Sequence, residues 1–265
     1  MIVVVRRAAL GDFVLTLPVV QALRALGPVT VLTDLRYRPL VPADVAVLPD
    51  DDLWRGRLPS GVDLAIAFSP AVADALREAG APDVRAVPPF PPPGVAAWRH
   101  YARVLDGLPV TVDPPRIACP SRPDADAPVV LAPGSGGRQK CWPLERWRAV
   151  ADALTVPVTW VRGPDEAEEA WSLPAVCPDI AGLVELAARC GAWLGPDSGP
   201  SHLAAAVGAP TGAVFGPTDP CVWAPPSATV LPWDSRPEVL ARWATDARLL
   251  RISDARGDGG PAGAR

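Results

Sequence analysis

The sequence predicts an α/β protein with two doubly wound domains and a cleft between them. The run IVVV at residues 2–5 is typical of a strand buried on both faces of a parallel sheet. The same strand–turn–helix pattern begins again at residue 129, after a stretch rich in Pro and Asp at 109–128. A further unit, GPDSGPSHLAAAVGAP at 195–210, joins a strand to a helix through a tight Gly/Ser turn. Alternating strands and helices of this kind place ligands at the carboxyl edge of a parallel sheet.

The composition narrows the possible function classes. Among 265 residues, 25 Lys and Arg stand against 29 Asp and Glu, so no global basic field for nucleic acid is expected. The 5 cysteines include no C-x-x-C pair, which argues against a disulfide scaffold and a zinc site. No apolar run reaches the roughly 18 residues that span a bilayer, and MIVVVRR places charge after the apolar segment, unlike a signal peptide. We expect a cytoplasmic chain with no nucleic-acid partner and at most peripheral contact with the inner face of the membrane.

The first domain is predicted to comprise residues 1–118. PPFPPP at 88–93 can form neither a helix nor a central strand, so it predicts a stiff surface loop. A turn at 6–12 is expected to connect the first strand to the first helix. The predicted elements of this domain are strands at 2–5, 29–33, 45–48, 64–68 and 84–87 and helices at 13–26, 71–79 and 98–108.

The second domain is predicted to comprise residues 119–252, followed by a flexible tail at 253–265. A loop rich in Pro and Trp is expected at 216–236 because its composition favours neither a helix nor a strand. The sequence GPDEAEEA, which follows the strand at 158–161, is expected to open a helix. The other predicted elements are strands at 129–132, 192–194 and 211–215 and helices at 144–154, 179–190, 200–207 and 237–252.

The turn after residue 196 is a candidate anion site. Asp197 and Ser198 leave a strand, Gly199 lets the backbone approach a ligand, and His202 follows just inside the predicted helix, whose first position suits Pro200. Unpaired backbone N–H groups at a helix start bind anions, most often phosphate. The alternative is that Asp197 or Ser198 is simply an N-cap.

Asp12 lies where the first strand passes into its helix, at the same topological edge of its own domain. One interpretation makes it a helix-start aspartate that balances the helix dipole. The other makes it a carboxylate that faces the cleft and accepts a proton. The position of the residue leaves both interpretations open.

The turn PGSGGRQK, which begins at residue 133, has chemistry suited to a diphosphate. Its spacing matches neither a Walker A loop nor a dinucleotide fingerprint. Ser135 offers a hydroxyl, the glycines that include Gly136 offer close backbone donors, and Arg138 and Lys140 offer positive charge. Lys140 is the only lysine in the chain, which otherwise uses Arg. A surface lysine is the alternative interpretation.

Three stretches together resemble a known family. GDFVLTLPVVQALR, PGSGGRQKCWPLERW and DSGPSHLAAAVGAPTGAVFGPTDP are similar, in this order, to the ADP-heptose:lipopolysaccharide heptosyltransferase family, glycosyltransferase family 9. The resemblance covers roughly residues 1–35 and 129–224 and fades at 36–128. It implies a GT-B fold, in which two Rossmann-like domains hold the acceptor on the N-terminal domain and the donor on the C-terminal one.

The resemblance also implies a reaction: inverting transfer of a heptose or related sugar from an ADP-sugar or other nucleotide-diphosphate sugar to a hydroxyl of a glycan or glycolipid. The family needs no metal and no cofactor, and its products belong to lipopolysaccharide and other cell-envelope glycans. The matching positions are Asp12 as catalytic base, Ser135 and Lys140 at the diphosphate, Glu166 at the ribose, and Asp197, Ser198, Gly199 and His202 in the donor-binding turn.

Two other functions compete with this one. A nucleotide-sugar epimerase or hydrolase on the same fold would act without an acceptor. A non-catalytic nucleotide-sugar-binding relative would keep the donor half alone, although Asp12 argues against it because a donor-binding protein needs no base. A nicotinamide oxidoreductase is disfavoured because RRAALGD lacks the glycines of a dinucleotide turn.

Overall fold

The computed structural model describes residues 1–164, 166 and 174–256. The chain divides into two compact units, Met1–Ile117 and Ala118–Arg265. Each unit contains one sheet in which all neighbouring strands are parallel, flanked by helices. The α/β class predicted from the sequence is therefore present in both units.

The N-terminal sheet has five strands in the order β3-β2-β1-β4-β5. Its central strand is buried along its whole length, and Val4 lies opposite Val31 on one side and Ile66 on the other. From β1 the chain adds β2 and β3 on one side of the sheet, and then β4 and β5 on the other side. The switch point therefore lies between β1 and β4. The strands are β1 (Ile2–Val5), β2 (Val29–Leu32), β3 (Ala46–Leu48), β4 (Leu64–Ala67) and β5 (Val84–Ala86).

The first helix, α1 (Leu10–Leu23), starts and ends three residues earlier than predicted. Asp12 therefore lies in its first turn and not in a preceding loop. Gly11 obscured the start because glycine disfavours helices, whereas here residues 13–20 are all buried and packing overrides that preference. After the helix ends, the backbone N–H groups of Ala25 and Leu26 donate to the carbonyl oxygens three residues earlier, which is the 3₁₀ pattern.

The N-terminal unit also contains two shorter α-helices, α2 (Pro70–Glu78) and α3 (Ala97–Ala102), and the 3₁₀ helices Leu35–Leu40 and Asp50–Arg55. The helix predicted at 98–108 is wrong in its second half, because the chain after α3 tightens into the 3₁₀ turn Arg103–Leu105. The side chain of Ser69 caps α2 by accepting from the N–H of Val72.

The C-terminal sheet has the order β11-β10-β9-β6-β7-β8. Its switch point lies between β6 and β9, since the chain continues from β6 to one side and from β9 to the other. The strands are β6 (Val129–Leu131), β7 (Val158–Val161), β8 (Ala175–Val176), β9 (Ala192–Pro196), β10 (Thr211–Phe215) and β11 (Thr229–Pro232).

The sequence-based prediction of a continuous loop at 216–236 is wrong. This segment contains the short helix α7 (Pro220–Trp223) and the edge strand β11. Only Leu231 of β11 is buried, so the strand lacks the apolar run that marks the interior strands. The remaining helices are α4 (Leu144–Ala153), α5 (Ile180–Arg189), α6 (Gly199–Val207) and α8 (Pro237–Arg256).

The predicted flexible tail begins too early. Helix α8 continues through residues 253–256, and residues 257–265 lie outside the described part of the chain. Most of the helix predicted from GPDEAEEA also lies outside it, since residue 165 and residues 167–173 are not described. Across the described ranges, none of the helices combines the length and apolarity that a membrane crossing requires.

Gly212→Ala should destabilise the C-terminal unit. A methyl group on this β10 residue would lie 2.7–2.8 Å from the side chains of Leu194, Leu231 and Trp243, which together enclose the position. Such overpacking costs about 1–3 kcal/mol of unfolding free energy. Gly136→Ala is the matched control, because a Cβ at Gly136 meets no atom within 4 Å. Equal urea midpoints for the two variants would contradict the packing argument.

Candidate functional site

The carboxyl ends of β6 and β9 bring together residues that are far apart in the sequence. The loop after β6 contains Ser135 and Lys140, and the turn after β9 contains Asp197. Because β6 and β9 are neighbours at the switch point, their following loops meet at one edge of the sheet. With His202 and Thr218, these residues form a group that we call the Asp197 cluster.

The carboxylate of Asp197 lies at the centre of the cluster. Its Oδ2 atom is 2.8 Å from Lys140 Nζ and accepts a hydrogen bond of 2.8 Å from the hydroxyl of Thr218. Its Oδ1 atom is 3.7 Å from His202 Nε2. The hydroxyl of Ser135 donates to the backbone oxygen of Asp197 at 2.9 Å. Two loops and the start of a helix are therefore joined through one residue.

The environment of Asp197 keeps its carboxylate charged. Burial raises the pKa of this group, but the contacts with His202, Lys140 and Thr218 lower it and prevail, which leaves the pKa at about 2. The Asp197 side chain is 6% exposed and that of Lys140 is 29% exposed. Asp197 thus supports Lys140 from within the protein, while the lysine side chain stays partly exposed. An ammonium has three donors, so further acceptors can still bind it.

The glycine-rich loop that contains Lys140 is fixed at its downstream end. Trp142 is buried and donates through Nε1 to the backbone oxygen of Trp233 at 2.8 Å. The guanidinium of Arg146 lies over the Trp142 ring at 4.1 Å and donates to the same oxygen at 3.1 Å. Nearer the start of the loop, Gly136 is exposed, and a Cβ atom at this position would meet no other atom within 4 Å. A ligand could approach the backbone there without meeting a side chain.

Glu166 packs directly against the start of this loop. Its Oε2 atom accepts from the backbone N–H of Gly163 at 2.9 Å. A Cβ atom on Gly134 would lie only 1.6 Å from Glu166 Oε1, so the glycine makes room for the carboxylate. The predicted ribose-binding acid is therefore adjacent to the residue that precedes Ser135.

The start of α6 does not use the side-chain cap that the alternative interpretation requires. Ser198 occupies the N-cap position, yet its hydroxyl makes no capping hydrogen bond and lies 3.1 Å from the hydroxyl of Ser201. Gly199 is the first helical residue and Pro200 the second, one position later than predicted. His202 is buried, with its ring directed at Asp197. The backbone donors of this first turn are thus not capped by Ser198.

A second polar group lies at the carboxyl edge of the N-terminal sheet and consists of Arg6, Asp12 and Tyr101, here called the Asp12 cluster. The side chain of Asp12 is 38% exposed, and its Oδ1 atom is 3.6 Å from Arg6 and 3.3 Å from the hydroxyl of Tyr101. The buried guanidinium of Arg6 contacts two aromatic rings, that of Phe68 at 5.2 Å and that of Tyr101 at 4.8 Å. The carboxylate of Asp12 thus contacts Arg6 and Tyr101 on the protein side and is partly exposed to solvent.

Tyr101 stays protonated at neutral pH. Burial raises the pKa of its hydroxyl, Arg6 lowers it and Asp12 raises it, and the net change is upward. The hydroxyl has one proton to donate, and the backbone oxygen of Pro89, at 2.9 Å, is a nearer acceptor than Asp12 Oδ1, at 3.3 Å.

Sequence reasoning missed Arg6, Tyr101 and Thr218. Arg6 is the first residue after β1, and Thr218 follows β10, the strand beside β9. A systematic list of polar residues just beyond each strand would have found both. Tyr101 is one of only 2 tyrosines in the chain, which was the available signal. Within the ranges that the structure describes, no three His, Cys, Asp or Glu side chains are grouped as metal ligands would be.

A family model described as glycosyltransferase family 9 (heptosyltransferase) matches residues 108–240. The chain is also similar to "Lipopolysaccharide heptosyltransferase 3" of Escherichia coli, with 28% identity over 186 residues. That alignment covers 63% of this chain and 46% of the relative, so the chain spans less than half the length of the curated relative that it matches. The family resemblance found in the sequence is confirmed.

Three solved structures share the architecture over nearly the whole chain. The glycosyl transferase family 9 protein from Veillonella parvula has a TM-score of 0.79 at 20% identity and covers 94% of this chain and 97% of its own. E. coli ADP-heptose LPS heptosyltransferase II has a TM-score of 0.73 at 18% identity, and the match covers 94% of this chain and 98% of that protein. E. coli heptosyltransferase WaaC with ADP has a TM-score of 0.74 at 16% identity, and the match covers 93% of this chain and 99% of that protein. At these identities the likeness shows the fold, and the predicted GT-B fold is confirmed.

Asp197→Asn should remove a pH-dependent contribution to stability. The pKa of this carboxyl falls from 3.8 to about 2 on folding, so its ionised form stabilises the fold above about pH 5 and that contribution is lost as the pH falls toward 2. The expected loss at neutral pH is about 2 kcal/mol of unfolding free energy. Urea unfolding at pH 7 and pH 3 measures it. A parent–variant difference that does not narrow at pH 3 would contradict the assignment.

Proposed function

This chain belongs to glycosyltransferase family 9 (heptosyltransferase), and we propose that it transfers a sugar from a nucleotide-diphosphate donor to a hydroxyl of a glycan or glycolipid. The observation that supports this most directly is the Asp197 cluster, where the only lysine of the chain and a glycine-rich loop meet at a sheet switch point. Ligands of doubly wound sheets bind at such points. A similar solved structure is described as a heptosyltransferase with ADP, which supports ADP-heptose as the donor.

The donor's diphosphate would bind the exposed face of Lys140, the Ser135–Gly136 backbone and the start of α6. Cleavage of the bond between the anomeric carbon and the diphosphate oxygen leaves negative charge on the phosphate. Fixed donors and an ammonium stabilise such charge in the transition state. This donor set supplies what a divalent cation otherwise would, so we propose a metal-independent reaction. Glu166, which lies against Gly134, would accept hydrogen bonds from the ribose hydroxyls.

Asp12 would act as the base. Its exposed side can accept the proton of the acceptor hydroxyl as the new carbon–oxygen bond forms and the anomeric carbon–phosphate bond breaks. Arg6 and Tyr101 both lie near the same oxygen atom on the protein side, at 3.6 Å and 3.3 Å, so the other oxygen is the one that we propose as the proton acceptor. A single displacement with one base inverts the anomeric centre.

The relative named for lipopolysaccharide suggests an acceptor of that chemistry, a glycan of the cell envelope. We propose a cytoplasmic reaction, with peripheral membrane contact where the acceptor is lipid-linked. Turnover of donor without any acceptor would instead indicate a hydrolase or epimerase.

Lys140→Ala should weaken ADP binding by about 1.5–3 kcal/mol, the range for a hydrogen bond to a charged group. Lys140→Arg should recover only part of this, because a guanidinium is longer and planar. Isothermal titration with ADP in EDTA measures both variants, and the parent should bind without added metal.

Arg242→Ala is the matched control for lost positive charge, since this side chain is 86% exposed on α8. Parent-like binding by Lys140→Ala would show that Lys140 is an ordinary surface residue. Parent binding that vanishes in EDTA and returns with Mg²⁺ would overturn metal independence.

Asp12→Asn should reduce kcat by about 10²–10⁴-fold, the usual contribution of a general base. The amide is nearly isosteric, so the melting temperature and ADP affinity should not change. The assay combines ADP-heptose with a deacylated inner-core oligosaccharide from lipopolysaccharide. Asp74→Asn, a surface carboxylate on α2, is the control. Transfer at the parent rate would refute the base assignment, and a large drop in melting temperature would make Asp12 a structural residue.

A further inference from the structure

An exposed aromatic ring lies on the stiffest loop of the N-terminal unit. Phe90 is 77% exposed, the largest exposure among the large hydrophobic side chains of the described residues. Prolines at 88, 89, 91, 92 and 93 surround it. Each pyrrolidine ring fixes one backbone dihedral, so the segment loses little conformational freedom when it binds a ligand.

Three hydrogen bonds hold this loop in place. His100 is buried, and its Nε2 atom is 2.8 Å from the backbone oxygen of Pro88. The hydroxyl of Tyr101 donates to the backbone oxygen of Pro89 at 2.9 Å. The loop closes with a bond of 3.2 Å from the N–H of Val95 to the oxygen of Pro92. The backbone before Phe90 is therefore anchored to α3, the backbone after it closes into a turn, and the Phe90 ring stays in solvent.

Tyr101 connects the loop to the Asp12 cluster. The same hydroxyl that binds Pro89 lies 3.3 Å from Asp12 Oδ1. Only two contacts thus separate the proposed base from the residue that precedes Phe90. An acceptor hydroxyl must come within hydrogen-bond distance of Asp12 to lose its proton, and the backbone at Pro89 is two contacts away from that carboxylate.

We propose that the loop at 88–93 forms one wall of the acceptor subsite, and that the ring of Phe90 packs against the face of the acceptor sugar whose hydroxyl Asp12 deprotonates. The proposal rests on the proposed function, because it takes Asp12 as the base. One face of a pyranose ring presents C–H groups, and these pack on the electron-rich face of an aromatic ring. Phe90 is then a specificity-determining residue that selects a ring-shaped acceptor.

A lipid surface is the other ligand class that an exposed Phe could contact. Stable attachment to a membrane requires a second signal, such as a polybasic patch. The segment PPFPPP contains no charged residue. The loop chemistry therefore favours the sugar.

The test compares Phe90→Ala, Phe90→Leu and Phe90→Trp with the parent, using ADP-heptose and the deacylated inner-core oligosaccharide. Phe90→Ala should raise the KM for the oligosaccharide about tenfold, as expected for one lost aromatic contact, with kcat and ADP affinity changed by less than about twofold. Phe90→Leu should resemble Phe90→Ala, because leucine is apolar but has no ring face. Phe90→Trp should keep the KM of the parent, because tryptophan has a ring face. Leu26→Ala is the control, an exposed apolar residue beyond the far end of α1 from Asp12.

Saturation-transfer NMR with the same oligosaccharide separates this proposal from the proposed function. Binding by the parent that is lost in Phe90→Ala supports the subsite even if no sugar is transferred, in which case the proposed reaction alone fails. No binding by the parent, parent-like binding by Phe90→Ala, or full rescue by Phe90→Leu overturns the proposal. Reduced cosedimentation of Phe90→Ala with phosphatidylglycerol vesicles, with oligosaccharide binding unchanged, assigns the loop to lipid and also overturns it.

Discussion

The buried carboxylate of Asp197 is the constraint on which the C-terminal site depends. A buried charge is tolerated only when other groups compensate it, and here an ammonium, a hydroxyl and an imidazole surround it. These groups come from the loop after β6, the segment after β10 and helix α6. An unpaired buried charge would destabilise the fold. The three side chains therefore point at Asp197, and this requirement fixes the position of Lys140.

The two units use opposite arrangements of charge. In the C-terminal unit the anion is buried and its cationic partner, Lys140, is partly exposed. In the N-terminal unit the cation is buried, since Arg6 packs against two aromatic rings, and its partner Asp12 is the exposed member. Each pair therefore presents one charge to solvent in a fixed direction. A positive group suits a diphosphate, whereas a negative group suits a hydroxyl that must lose a proton.

The sequence predicted the sheets better than it predicted the site. Continuous apolar runs marked the interior strands, but β11 was missed because Leu231 is its only buried residue. The edge position of Asp12 and Asp197 followed from the strand–turn–helix order. Their partners did not, because side-chain direction depends on packing between distant segments, and Tyr101 is 89 residues from Asp12. Thr218 likewise contacts Asp197 only because β10 pairs with β9.

The choice of lysine at position 140 in an arginine-rich chain has a physical reason in this arrangement. A guanidinium presents its donors in a planar fork that matches a carboxylate through two parallel hydrogen bonds. Against Asp197 such a fork would direct two of its donors at the buried carboxylate, where they could not bind a ligand. An ammonium is compact, with three donors in a tetrahedral arrangement, so one contact of 2.8 Å with Asp197 leaves donors for an outside acceptor. The buried aspartate fixes the lysine in place, and the shape of the ammonium keeps it able to bind.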